Sequence, residues 1–148
     1  MTAGPPSLLS VAIDIPANPA IVWRIVAEVE RWPEWTPTIT RVQRLDEGPL
    51  RLGSRARIWQ PRLPVAMWEV TDLEQESGFT WVSSSPLVRV TAGHWIEPHA
   101  GGSRVSLSVS FSGLLGSLVA RLTRRLNVTY LHQEAEGLRK RAAAAGIG

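Results

Sequence analysis

From Val105 to Ser112 apolar residues and serines alternate without a break. Side chains on an extended chain point to opposite faces in turn, so Val105, Leu107, Val109 and Phe111 share one face. Ser106, Ser108, Ser110 and Ser112 share the other. One dry face and one wet face is the pattern of an antiparallel sheet covered on one side only. After Gly113 the chain enters Leu114 to Ala145, which reads as one long helix or two in tandem, and no earlier segment rivals it in length. These two stretches together demand a sheet with a long helix laid across it.

The segments before them supply the remaining strands. Ser7 to Ile15 alternates, with Leu9, Val11, Ile13 and Ile15 on one face, and Pro16 closes it. Asn18 is a good N-cap and Pro19 suits the first helical position, where its missing N–H costs nothing. Ile21, Val22, Ile25, Val26 and Val29 recur at helical spacing, predicting a helix to about Glu30. Pro33 and Pro37 limit the next stretch to a short helical turn held by Trp32 and Trp35. Strands are then predicted over Thr38–Leu45, Ser54–Gln60, Val65–Leu73, Phe79–Ser84, Val88–Glu97 and Arg104–Ser112, separated by Gly, Pro and polar turns. Consecutive strands joined by short turns make an antiparallel meander. The order is β-α-α-β-β-β-β-β-β-α, an α+β fold in one domain over residues 1–148, since helices do not alternate with strands.

Composition excludes several classes of function. The chain has 148 residues and no cysteine, which removes disulfides and thiolate chemistry. His94, His99 and His132 are not paired at metal-ligand spacing, so no metal is expected, and no cofactor is expected either. All but one of the 16 basic residues are arginine, yet the net charge is only +3 and gives no case for nucleic acid. The N-terminal residues 1–10 carry no basic region and no long apolar run. The reading is a cytoplasmic protein with no leader and no integral membrane association.

Several short motifs in this order resemble the START-like, or Bet v 1-like, helix-grip superfamily, and within it the polyketide cyclase/dehydrase branch. They are Ile15-Pro16-Ala17 with Val22-Trp23, the Trp32-Pro33-Glu34-Trp35 corner, Gly53-Ser54, Gln60-Pro61 and Trp68-Glu69-Val70. His94 before Gly101-Gly102-Ser103-Arg104-Val105, and Gly113-Leu114-Leu115-Gly116 before the last helix, complete the set. The resemblance covers nearly the whole chain. It implies a curved seven-stranded antiparallel sheet gripping the C-terminal helix, with a deep apolar cavity between them. It also implies a hydrophobic small-molecule ligand of lipid, polyketide or aromatic type. Aromatase/cyclase members use arginine and tyrosine in that cavity. Here Ile39 stands where the tyrosine is expected, and strand parity turns Arg57 and Arg89 outward.

Parity assigns the faces. Val88, Val90, Ala92, His94 and Ile96 form one face, so His94 points inward unless a bulge at Gly93 shifts the phase. Ile58, Gln60, Trp68, Phe79 and Trp81 are placed inward by the same reasoning. The expected wall is Trp35, Ile58, Trp68, Trp81, His94, Val109, Leu122 and Leu126, with Gln60 and Tyr130 as polar candidates. His94 has two readings. It is a hydrogen-bond donor or acid/base to a ligand, or a core histidine satisfied by a neighbour, which is how most buried polar groups stand. Three functions follow: a binding protein for a hydrophobic molecule, a cyclase/dehydrase-type enzyme using His94, and an interaction module with a vestigial pocket. Trp59 and Trp95, if both lie on the outer sheet face, would form an apolar patch suited to a homodimer. Within the last helix Leu115, Leu118, Val119, Leu122 and Leu126 share one stripe, and Leu131, Ala135, Leu138 and Ala142 another nearly opposite. One straight helix cannot bury both, so a bend near Asn127 is predicted, with Leu114 to Leu126 as a lid.

Overall fold

The computed structural model describes residues 7–147. Residues 1–6, most of the stretch read above for a leader, lie outside the described residues. Seven strands form one antiparallel sheet: β1 (Ser7–Ile15), β2 (Arg41–Arg44), β3 (Arg55–Trp59), β4 (Ala66–Glu74), β5 (Gly78–Ser84), β6 (Arg89–His99) and β7 (Gly102–Ser112). Their spatial order is β1-β7-β6-β5-β4-β3-β2. The meander from β2 to β7 is therefore complete, and the first strand closes onto the last. α1 (Pro19–Ala27) and a 3₁₀ turn (Val29–Glu34) follow β1, and α2 (Gly116–Leu122) and α3 (Arg124–Ile147) follow β7. This is the helix-grip arrangement. Among the described residues no helix is long and apolar enough to cross a membrane.

The first helix stops earlier than its apolar spacing suggests. Asn18 caps it, its side chain accepting from the Ile21 N–H at 3.0 Å. Glu28 then leaves helical geometry at φ −83°, ψ 68°. The departure lets Trp32 turn back under the helix, where its indole N–H donates to the Val26 carbonyl at 3.1 Å. That carbonyl belongs to the last turn, where helices leave carbonyls without partners. Val29 and Trp32 are both buried as a result.

β2 is shorter than the predicted Thr38–Leu45. Thr36 and Thr38 are buried and bond to side chains instead of to a neighbouring strand. The pairing of β6 with β7 runs unshifted from Arg89 to His99, so Gly93 carries no bulge. The irregularity lies in β4, between Val70 and Asp72.

The last helical stretch is interrupted, at Thr123 rather than Asn127. Thr123 sits at φ −104°, ψ 8° between α2 and α3. Its hydroxyl donates back to the Val119 carbonyl at 2.7 Å and accepts from the Asn127 amide at 2.9 Å. Such back-bonding competes with the helix ladder and marks the break. Beyond it Leu131, Ala135, Leu138 and Ala142 are buried against the sheet and α1, as their spacing requires. At Gly137 a β-carbon would lie 2.0 Å from the Trp35 carbonyl oxygen, so α3 touches the corner backbone directly.

Candidate functional site

Between the inner sheet face and the α2–α3 stretch lies a cavity of about 410 Å³, within the size range of small-molecule sites. Its floor is aromatic. Trp32 and Trp81 meet edge-on at 5.3 Å, Trp68 lies 5.8 Å from Trp81, and the His94 ring stacks on Phe79 at 4.6 Å. Inward-facing residues of four successive strands build this floor: Ile58, Trp68, Trp81 and His94. Val109 of β7 and Leu131 of α3 add aliphatic wall.

His94 points inward and is 7% exposed. Burial holds its pKa down at about 4, with the nearby Phe79 backbone acting in the opposite direction. The imidazole is neutral at pH 7. Its Nδ1 is buried and has no hydrogen-bond partner among the described residues, and the same holds for the Trp68 indole N–H. His94 is thus a core histidine by burial, but not a satisfied one.

A second polar centre comes from Thr123 and α3. Thr123, Asn127, Tyr130, Leu131 and Glu134 recur at three- and four-residue spacing and all face the cavity. The Glu134 carboxylate accepts a hydrogen bond from the Thr38 hydroxyl at 2.9 Å. Thr38 and Thr36 share a hydroxyl contact at 3.0 Å, and the Gln60 amide donates to the Thr38 carbonyl at 3.3 Å. Glu134 is only half-buried by area because the cavity itself borders it. Apolar surroundings nonetheless raise its pKa to about 7, with the Thr38 hydrogen bond opposing. The Tyr130 hydroxyl donates to the Pro61 carbonyl and ties α3 to the β3–β4 loop; burial raises its pKa. Among the described residues no arginine or lysine lines the cavity.

Of the residues expected in the wall, Ile58, Gln60, Trp68, Trp81, His94, Val109 and Tyr130 line the cavity. Trp35, Leu122 and Leu126 do not. Trp35 is drawn to the far side, its ring 5.8 Å from Trp32 and its carbonyl against Gly137. Leu122 is 74% exposed, and Leu126 is half-buried outside the cavity. Each precedes a lining residue, Thr123 or Asn127, and so stands about 100° round the helix from it. Ile39 lines the cavity, whereas Arg57 and Arg89 are exposed. Glu134 went unnoticed in the sequence because a helix glutamate usually faces water. Its signal was present: Leu131, Ala135 and Leu138 bracket it at i−3, i+1 and i+4, inside the buried arc.

Trp59 and Trp95 do not join into one apolar patch. They stand on β3 and β6 with two strands between, roughly 14 Å at the usual strand spacing. The Arg41 guanidinium lies 4.5 Å over the Trp59 ring, and the Trp95 N–H donates to the Thr80 hydroxyl at 3.0 Å.

The fold has many solved counterparts. The protein TTHA0849 from Thermus thermophilus superposes with a TM-score of 0.76 at 18% identity, over 93% of this chain and 98% of that one. The Zhui aromatase/cyclase from a Streptomyces species gives 0.69 at 16% identity, over 94% and 97%. A START superfamily protein from Mycobacterium smegmatis gives 0.70 at 16%, over 90% and 97%. These likenesses show the fold. No curated protein matches the sequence significantly. The family model described as polyketide cyclase/dehydrase and lipid transport matches residues 8–143, and the chain belongs to that family.

Proposed function

We propose that the chain is a single-domain binding protein for an uncharged, largely apolar small molecule of lipid, polyketide or aromatic type. The observation that carries this reading is a cavity of about 410 Å³ with an aromatic floor and, among the described residues, no permanently charged side chain in its wall. An anionic ligand would have to be desolvated there without a counter-ion, and a cation would meet only the Glu134 carboxyl, which burial pushes toward its neutral form. A vestigial pocket would be filled by side chains, and this one is not. The unpartnered atoms of His94 and Trp68, with Glu134, supply the few polar positions that orient a ligand. The test is Nile red binding by fluorescence, with Ala92→Trp as the variant. Ala92 faces the cavity opposite Trp81 and Val109. The wild type should bind and the variant bind at least tenfold more weakly at similar thermal stability. Equal binding by both would sink the proposal.

A second reading, a cyclase/dehydrase-type enzyme, is favoured by one observation. A carboxyl titrating at about 7 is suited to proton transfer at neutral pH. His94, with a pKa of about 4, is neutral there and serves this reading as an acceptor rather than as an acid. Dehydration of a neutral β-hydroxyketone is the assay. Glu134→Gln should lower the rate by about 10² or more, and His94→Ala should lower it as well. No turnover by the wild type, or full turnover by both variants, removes the enzyme.

A further inference from the structure

The short helix α2 is amphipathic in the wrong sense. Gly116 and Ala120 are buried against β7, while Leu118 and Leu122, one turn apart, face out at 49% and 74% exposure. Leu114, just before it, is 83% exposed. A surface helix normally buries its leucines. Leu87 of the β5–β6 loop, 46% exposed, is joined to this helix by its carbonyl, which accepts from the Leu115 N–H at 2.9 Å. Val65 of the β3–β4 loop, 51% exposed, lines the cavity mouth, as do Val119 and Thr123 beside the outward leucines. The β3–β4 loop, the β5–β6 loop and the segment after β7 lie at the same end of the antiparallel sheet, so these apolar residues flank one end of the cavity.

The charge around them has one sign. No Asp or Glu occurs in residues 60–67, 83–88 or 112–126, the three segments that form this rim. Arg62, Arg121, Arg124 and Arg125 are all exposed there, and none is in an ion pair among the described residues. Elsewhere Arg31, Arg104 and Arg139 are each paired with a carboxylate, whereas Arg24, Arg55, Arg57 and Arg89 are exposed and in no ion pair among the described residues, so what sets the rim apart is the absence of carboxylates from its segments. A second copy of the chain docking by this rim would bring two sets of four arginines together. An anionic surface that accepts leucines does the opposite on both counts.

We infer that the rim formed by Leu114, Leu118, Leu122, Leu87 and Val65, with its four arginines, docks the cavity mouth on an anionic lipid bilayer. The leucines enter the acyl boundary and the arginines meet headgroup phosphates, as an interfacial helix does. The placement rests on the cavity being a site for an apolar molecule, which would then pass between bilayer and cavity without crossing water.

The experiment is vesicle co-sedimentation with phosphatidylglycerol/phosphatidylcholine vesicles against pure phosphatidylcholine. The wild type should bind the anionic vesicles and release in high salt. Leu118→Ser/Leu122→Ser should weaken binding more than tenfold. Arg121→Gln/Arg124→Gln should weaken it about fivefold per arginine. Ala92→Trp, which blocks the cavity and leaves the rim intact, should still bind vesicles, so failure of the ligand reading and failure of docking are told apart. No binding to anionic vesicles by folded protein overturns the inference. So does a dimer in light scattering that the leucine variant dissociates, because the occupant is then a second copy.

Discussion

Gly137→Ala should destabilise the fold by about 3–5 kcal/mol, far more than a surface helix substitution. Alanine is intrinsically better than glycine in a helix by about 1 kcal/mol, so propensity alone predicts a gain. The contact decides the sign. The added carbon would sit 2.0 Å from the Trp35 carbonyl oxygen and 3.1 Å from its carbon, both backbone atoms that cannot rotate away. Either α3 lifts off the sheet or the corner shifts, and both open the core around Leu138 and Trp32. Gly146→Ala is the control, because its nearest neighbours lie at 3.4 Å and beyond. It should change stability by no more than about 0.5–1 kcal/mol. Urea unfolding of the three proteins checks this. A Gly137→Ala variant as stable as the wild type would mean that α3 does not touch the corner.

The buried acid and the buried imidazole should pull stability in opposite directions as pH changes. Glu134 titrates near 7 in the folded protein and from 4.5 in the unfolded chain. Between those values the folded state holds the extra proton, so stability falls as pH rises. His94 titrates near 4 when folded and from 6.5 when unfolded. Between those values the unfolded state holds the extra proton, so stability falls as pH drops. At about 1.4 kcal/mol per pH unit each group costs up to roughly 3 kcal/mol at the end of its window. Over pH 4.5–6.5 the two slopes cancel and the wild type should be nearly flat. Glu134→Gln should be more stable than the wild type at about pH 7.5 by roughly 2–3 kcal/mol, with stability declining as pH falls from about 6.5 to about 4. His94→Phe should show the reverse slope. Chemical denaturation at several pH values reads both variants. Parallel profiles for the two would mean that neither group is held as the geometry requires.

Strand positions were legible because one-sided burial writes itself as alternation, clearest in β7, and because Gly and Pro mark the turns between strands. Inward residues such as Ile58 and His94 followed from parity alone. What parity could not supply was the rotation of the last helices. Apolar spacing placed Leu122 on the inner stripe, but the break at Thr123 gives the cavity to Thr123, Asn127, Tyr130 and Glu134 and leaves the leucine in water. A back-bonding threonine is a local effect that hydrophobic periodicity does not record. The polar centre stayed hidden for a similar reason. Thr38 and Glu134 are 96 positions apart, and only the tertiary fold brings them to 2.9 Å. Trp35 was misplaced because it ends a six-residue 3₁₀ turn, whose three-residue period matches neither the strand nor the α-helix spacing used to assign faces.

The seam between β1 and β7 governs the order in which this chain can assemble. Ser7 pairs with Phe111 and Ile15 with Ser103, so the two strands of the sheet's closing ladder lie far apart in the sequence. β2 to β7 can zip hairpin by hairpin, each closing a short loop. β1 must wait until β7 has left the ribosome, and it then pays the closure entropy of nearly the whole domain. Until that moment Leu9, Val11 and Ile13 form an apolar strand with both edges bare. The first strand of the sheet to be synthesised is the last to be seated, and the nascent domain spends most of its synthesis with that strand unpaired.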